Sequence, residues 1–253
     1  MKLGLLQFSP VWEDKIASLD KVKELVGHLD EPVELLILPE MSLTGFTMNP
    51  QNFAEGIGGK TFRFFSELAL EKKINVFVGI IEDSKNKFYN TLLHIDSRGK
   101  LVKLYRKIHP FSYSSEDKYY AAGARPAITK IKKFRIGLSI CYDLRFPELY
   151  RRYAKKKVHL IVDIANWPDT RIEHWRTLLK ARAIENQCYV AGINRVGDDP
   201  KLHYNGYSSV FDPMGNELIS LPDEEKIVVA EIDKALVNDV RNKLPFLDDI
   251  RLI

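Results

Sequence analysis

The sequence predicts an α/β fold in which two mixed β-sheets pack face to face under a cover of helices. Strand-like apolar runs alternate with helix-period segments through both halves of the chain. Turn signals such as Asp96-Ser-Arg-Gly99 and Asp212-Pro-Met-Gly215 join neighbouring strands as hairpins, so the sheets are mixed rather than wholly parallel. At 253 residues and 45% hydrophobic content, the chain can bury a substantial core.

The elements follow in order. Residues 2–8 read as a strand. Residues 16–29 repeat apolar side chains at helical spacing through Ile16, Leu19, Val22, Val26 and Leu29. A buried strand over 33–38 ends in Pro39-Glu40. A helix over 62–73 precedes a strand over 75–82, and 88–95 with 101–105 form a hairpin. A long polar loop leads to short strands at 128–131 and 134–140. Pro147-Glu148 opens a helix, since proline suits a first turn and acids suit its positive end. A strand over 160–165, a helix over 171–186 and strands over 189–194, 207–211, 217–221 and 226–231 follow. The last helix spans 234–243 and leaves an extended tail, about 244–253, containing Pro245-Phe246. With no Pro/Gly/Ser-rich linker, 1–253 is expected to be one continuous domain.

Composition narrows the function. A net charge of +4 is small for this length; the basic clusters at 130–133 and 151–157 read as solvated faces, and neither a nucleic-acid module nor a membrane partner is expected. Two cysteines, Cys141 and Cys188, leave no disulfide framework and no paired-cysteine zinc site. Without a secretory signal or an 18-residue apolar span, the expected location is the cytoplasm.

Cys141 closes the strand 134–140 and opens the turn Cys141-Tyr-Asp-Leu-Arg-Phe-Pro-Glu148. A cysteine there presents its sulfur outward, with free backbone N–H groups beside it, which suits a nucleophile whose reaction makes an oxyanion. Glu40 and Lys107 each follow a strand as well, where α/β folds place their sites. If the three converge, Glu40 takes the thiol proton while Lys107 and the Tyr142 N–H hold the oxyanion. Cys188, inside a strand-like run, reads as an inert core residue.

The motifs Leu38-Pro-Glu40, Tyr105-Arg-Lys-Ile-His109, Cys141 to Glu148, Ala165-Asn-Trp-Pro168 and Ala181-Arg-Ala-Ile-Glu-Asn186 resemble the nitrilase superfamily of carbon–nitrogen hydrolases over nearly the whole chain. The resemblance implies a four-layer α-β-β-α sandwich, a homodimer in which the tail makes contacts, and no metal or organic cofactor. It assigns the base to Glu40, the oxyanion lysine to Lys107, the nucleophile to Cys141 and a supporting carboxylate to Glu116.

Cys141-Tyr-Asp143, in place of Cys-Trp-Glu, is similar to the amidase branch, above all to the ω-amidases that deaminate 2-oxoglutaramate and 2-oxosuccinamate. Arginine binds carboxylates through two parallel hydrogen bonds, so Arg145 and Arg171 are candidate clamps for an acidic substrate. Trp167 is a candidate pocket wall. Amidases of deaminated glutathione and N-carbamoyl amide hydrolases share this chemistry and stand as alternatives, as does a non-catalytic binding protein on the same fold. Two other classes are weaker. The stretch 54–61 approximates a phosphate-binding loop, with Asp163 on an acidic strand, but no strand precedes it. His109 or His174 as partner to Cys141 would make a papain-like pair.

Overall fold

In the computed structural model, residues 1–252 are described; Ile253, the end of the expected tail, lies outside them. The elements are β1 (Lys2–Gln7), α1 (Lys15–Gly27), β2 (Leu35–Ile37), α2 (Pro50–Phe53), α3 (Lys60–Lys72), β3 (Asn75–Ser84), β4 (Lys87–Ile95) and β5 (Leu101–Arg106). Then come α4 (Glu116–Tyr119), β6 (Ala127–Ile131), β7 (Phe134–Ile140), α5 (Pro147–Lys155), β8 (Leu160–Ile164) and α6 (Ile172–Asn186). The chain continues through β9 (Tyr189–Ile193), β10 (Val196–Asp198), β11 (His203–Phe211), β12 (Glu217–Pro222), β13 (Lys226–Glu231) and α7 (Lys234–Lys243).

One six-stranded sheet has the order β13-β1-β2-β3-β4-β5, and a seven-stranded sheet has β10-β11-β9-β8-β7-β6 with β12 beside β11. Both are mixed: β1, β2 and β3 run parallel, as do β7, β8 and β9, while hairpins flank them. Side chains alternate across the first sheet. Leu3, Leu5, Leu35, Ile37 and Phe77 face the second sheet. Leu6, Leu36, Leu38, Val76 and Val78 pack with Val22 and Val26 of α1 and Phe65 and Leu68 of α3. On the far side α6 covers β9 and β11, with Trp175 and Leu179 buried. The expected α-β-β-α sandwich is therefore what the chain forms.

Several expectations need correction. β2 is three residues long: residues 33 and 34 precede its ladder, and Leu38 donates its N–H to Phe77 O at 2.9 Å as the chain enters the turn that carries Glu40. The polar loop before β6 holds a 3₁₀ turn (Ser112–Ser114) and the short helix α4. A 3₁₀ turn, Cys141–Arg145, stands between β7 and α5. The tail after α7 is not simply extended, for Phe246–Asp249 makes another such turn. β10 was unforeseen; at three residues it has no readable period. No helix among the described residues is long and apolar enough to cross a membrane.

The phosphate-loop reading fails for a physical reason. α2, not a strand, precedes residues 54–61, and the Glu55 carboxylate already accepts the Thr61 N–H (2.9 Å) and hydroxyl (2.7 Å) at the start of α3. An anion is built into the place a phosphate would take.

Candidate active site

Both sheets deliver their parallel strands to one end of the molecule, and the candidate residues meet there. Glu40 lies in the turn after β2. That turn rests directly on β3 at Gly79, where a Cβ would fall 2.6 Å from Met41 N and 2.8 Å from Glu40 Cα. The turn is tied down by Ser42, whose N–H donates to Gly79 O at 2.9 Å. Lys107 follows β5 and is anchored by its own N–H to Asn90 O at 2.9 Å. Glu116 opens α4. All three side chains are sealed from solvent, at 0%, 1% and 0% exposure.

Lys107 Nζ joins the two carboxylates, at 2.8 Å from Glu40 Oε1 and 2.9 Å from Glu116 Oε2. Burial alone would strip its proton, but Glu116 and Glu40 outweigh that and hold its pKa well above the usual lysine range. Lys107 is thus a fixed ammonium. Burial raises the Glu116 pKa, with Lys107 pulling against it and Glu40 adding to it. Asn90 bridges the same pair, donating from Nδ2 to Glu40 Oε1 at 2.6 Å and Glu116 Oε1 at 2.9 Å. Glu40 Oε2 accepts the Asn166 N–H at 2.9 Å.

Cys141 adopts φ +50°, the left-handed region that a residue with a Cβ enters at a cost. Two buried aspartates hold this turn. Asp163, in mid-β8, accepts the Cys141 N–H at 2.7 Å and the Tyr150 hydroxyl at 2.6 Å. Asp143 accepts the Ile140 N–H (3.1 Å) and the Tyr105 hydroxyl (2.6 Å), and also the His109 N–H (3.1 Å) and Nδ1 (2.7 Å). The Cys141 turn is thereby tied to β5, which Lys107 follows. Tyr142 sits at the opening of the 3₁₀ turn, where N–H groups lack intrahelical partners.

Cys141 is less outward than expected. The residue is half-buried, and Sγ lies 3.9 Å from Asn166 O. Burial, then the charges of Glu40, Asp163 and Glu116, push the thiol well above its normal pKa, against the pull of Lys107. It rests as the thiol and needs a base. The burial of Asp163 lifts its own pKa to about 7, although its hydrogen-bond donors resist this.

Above Cys141 opens a small pocket walled by Phe111, Trp167 and Pro168 and reached by Arg145 and Arg171. Trp167 is both wall and core, being 3% exposed and donating its indole N–H to Arg171 O at 2.8 Å. Arg145 lies over the Trp167 ring at 4.7 Å and contacts His174 Nδ1 at 3.2 Å. Neither arginine makes an ion pair among the described residues. Burial and the neighbouring Arg171 lower the Arg145 pKa. The papain-like alternative has no support, since His109 is committed to Asp143 and stacked on Phe146 at 3.8 Å, and His174 faces Arg145. Cys188 is buried in the core as expected.

A sequence profile described as carbon–nitrogen hydrolase matches residues 2–242. The chain belongs to the carbon–nitrogen hydrolase family. It is similar to a 2-oxoglutaramate amidase of Bacillus subtilis (strain 168), 34% identical across 98% of this chain and 97% of that one. A 2-oxoglutaramate amidase of Paenarthrobacter nicotinovorans is 37% identical across 94% and 84% of the two chains. Among solved structures, the superfamily protein XC1258 of Xanthomonas campestris, with an arsenic adduct in its active site, superposes at a TM-score of 0.95, with 32% identity over 100% of this chain and 98% of that one.

In this carbon–nitrogen hydrolase every residue singled out from sequence reaches the one site: Glu40, Lys107, Glu116, Cys141, Tyr142, Arg145, Trp167 and Arg171. Sequence reasoning missed Asn90 as a bridge and Asp143 and Asp163 as supports of the turn. Their signal was a polar residue inside an apolar strand or beside the nucleophile, since a buried polar group must find a partner.

Proposed function

We propose that this carbon–nitrogen hydrolase deaminates a small ω-amide that carries a carboxylate, 2-oxoglutaramate or 2-oxosuccinamate, through a thioester on Cys141. The observation that carries the reading is a small pocket in which two arginines without carboxylate partners stand over a cysteine beside a buried Glu–Lys–Glu cluster. The relatives named 2-oxoglutaramate amidase support the choice of substrate.

Cys141 Sγ attacks the amide carbon as its proton passes to Glu40. The developing oxyanion is held by the Lys107 ammonium and the Tyr142 N–H, each such donor being worth about 3–4 kcal/mol of barrier. Glu40 returns the proton to the leaving nitrogen, ammonia departs and the acyl group stays on sulfur. Glu40, with Glu116 behind Lys107, then takes a proton from water, which attacks the thioester and releases the second carboxylate and the thiol. Arg145 holds the substrate's own carboxylate, with Arg171 beside it. The two oxo-amides differ by one methylene, a distinction of about 1–3 kcal/mol in such a pocket. A cytoplasmic homodimer with tail contacts completes the proposal.

Ammonia release by wild-type protein and Cys141→Ala tests it, with 2-oxoglutaramate, 2-oxosuccinamate, deaminated glutathione and a simple nitrile run side by side. Cys141-dependent turnover of the two oxo-amides is expected. Turnover of deaminated glutathione or nitrile alone would overturn the substrate assignment and keep the chemistry.

A further inference from the structure

The opposite end of the second sheet carries a feature that amide hydrolysis does not use. Cys141 follows the last residue of β7, whereas Arg135 stands near its first, about 20 Å away at strand spacing. Around Arg135 lies an open depression lined by Lys103, Lys130, Lys133, Arg135, Lys234 and His159, with Val102 and Ile128 as its apolar members. No acidic residue lines it among the described residues. Lys132, on the same turn as Lys133 but outside the depression, is paired with Glu34. The five cations inside make no ion pair among the described residues.

His159 lines the same depression. It is only 7% exposed, and its Nδ1 accepts the Arg135 N–H at 2.9 Å, which puts the ring proton on Nε2. No described residue accepts from that Nε2–H. Burial, then the charges of Lys234, Arg241 and Arg135, hold the ring neutral, with a pKa of about 4. The ring is a neutral hydrogen-bond donor, open to an acceptor, in the wall this depression shares with the neighbouring one that Arg241 lines.

We propose that this depression is a binding site for a compact multivalent phosphate anion, such as a polyphosphate or the phosphate chain of a nucleotide. Four of its five cations are lysines, which bind phosphates as point charges; the active-site pocket uses arginines alone, whose planar forks suit a carboxylate. Five converging positive charges suit several anionic groups in a row better than the two of a dicarboxylate. The cations gather from β5, the β6–β7 hairpin and the start of α7 onto one open depression, which favours a compact ligand over a polynucleotide.

The test is calorimetric titration of the full chain at about 0.15 M salt, where long-range surface attraction is screened. The probes are inorganic tripolyphosphate, ATP, citrate and a single-stranded RNA oligomer. Saturable binding of tripolyphosphate and ATP, one per chain, is expected, with citrate much weaker. ATP tighter than tripolyphosphate would place the base against Val102 and Ile128; equal affinities would assign the site to phosphates alone. The exposed pair Lys130→Gln and Lys133→Gln, changed together, should weaken binding at least about tenfold through the lost charge-assisted contacts while leaving ammonia release and Tm unchanged. Arg145→Ala should leave binding unchanged. Absence of saturation, loss of binding in Arg145→Ala instead of in the lysine pair, or binding of RNA without tripolyphosphate would each overturn the proposal.

Discussion

Lys107 and Arg145 are cations of one active site that stand in opposite conditions. Lys107 is sealed at 1% exposure between two carboxylates, whereas Arg145 is partly open, lies on the face of Trp167 and has no carboxylate partner among the described residues. A buried charge without a partner is prohibitively costly, so Lys107 must be neutralised by the protein itself. A half-solvated arginine can wait for a ligand to supply its anion. The first arrangement is held by the fold; on the function proposed above it also serves the chemistry, and the second serves recognition.

The largest effect should come from breaking the sealed half. Lys107→Ala leaves Glu40 and Glu116 facing each other without their counter-charge, a loss of about 3–5 kcal/mol for an uncompensated buried charge. Turnover should fall at least about 10²-fold as the oxyanion donor goes, and calorimetry should show a lowered Tm. Arg145→Ala should instead melt with wild type. If the two variants melt alike, the distinction between a structural and a waiting cation is lost.

Arg145→Ala should next cut kcat/KM for 2-oxoglutaramate by roughly 100-fold, the worth of about 3 kcal/mol for hydrogen bonds to a charged group. Steady-state assays with a neutral amide of the same length should show little change. Equal loss on both substrates would mean that Arg145 shapes the pocket rather than reading the carboxylate. Arg171→Ala should follow the same pattern at about tenfold, since Arg171 also lies toward Phe111, 5.8 Å from its ring.

The smallest effect sharpens the electrostatics around the sulfur. Asp163→Asn keeps an acceptor for the Cys141 N–H and removes a negative charge that helps hold the thiol protonated. The pH profile of Cys141 alkylation by iodoacetamide should shift to lower pH. Stability gives the complementary sign. Asp163 titrates at about 7 in the fold and at about 4 in an unfolded chain. The folded state therefore binds the extra proton, and wild type loses stability as pH rises from about 4 to about 7. The Asn variant lacks that loss, so its Tm relative to wild type should rise across the same window. A profile and a Tm difference that ignore pH would remove Asp163 from this role.

The strand ends carrying Glu40, Lys107 and Cys141 were legible because each stands beside an apolar run, and the motif around each is local in sequence. Glu116 was readable only through family resemblance, because its helix is a single turn within a polar stretch. Asn90 and Asp163 were illegible as functional residues for a different reason. Their partners come from other strands, 50 residues away for Asn90 with Glu40 and 22 for Asp163 with Cys141. Strand pairing alone decides such meetings. The left-handed backbone of Cys141 was equally hidden, since nothing in a cysteine announces a positive φ.

The division of the site between the two sheets has a consequence for how the enzyme comes into being. Glu40 and Lys107 ride on the first sheet, and Cys141 and Asn166 on the second. The first sheet is itself unfinished until β13 returns to pair with β1 along Lys2↔Glu231 to Gln7↔Lys226. A growing chain thus carries Cys141 for some 85 residues of synthesis before the sheet bearing Glu40 and Lys107 is closed. A fragment ending before residue 226 would hold Glu40, Lys107, Glu116 and Cys141 without the strand that closes the first sheet.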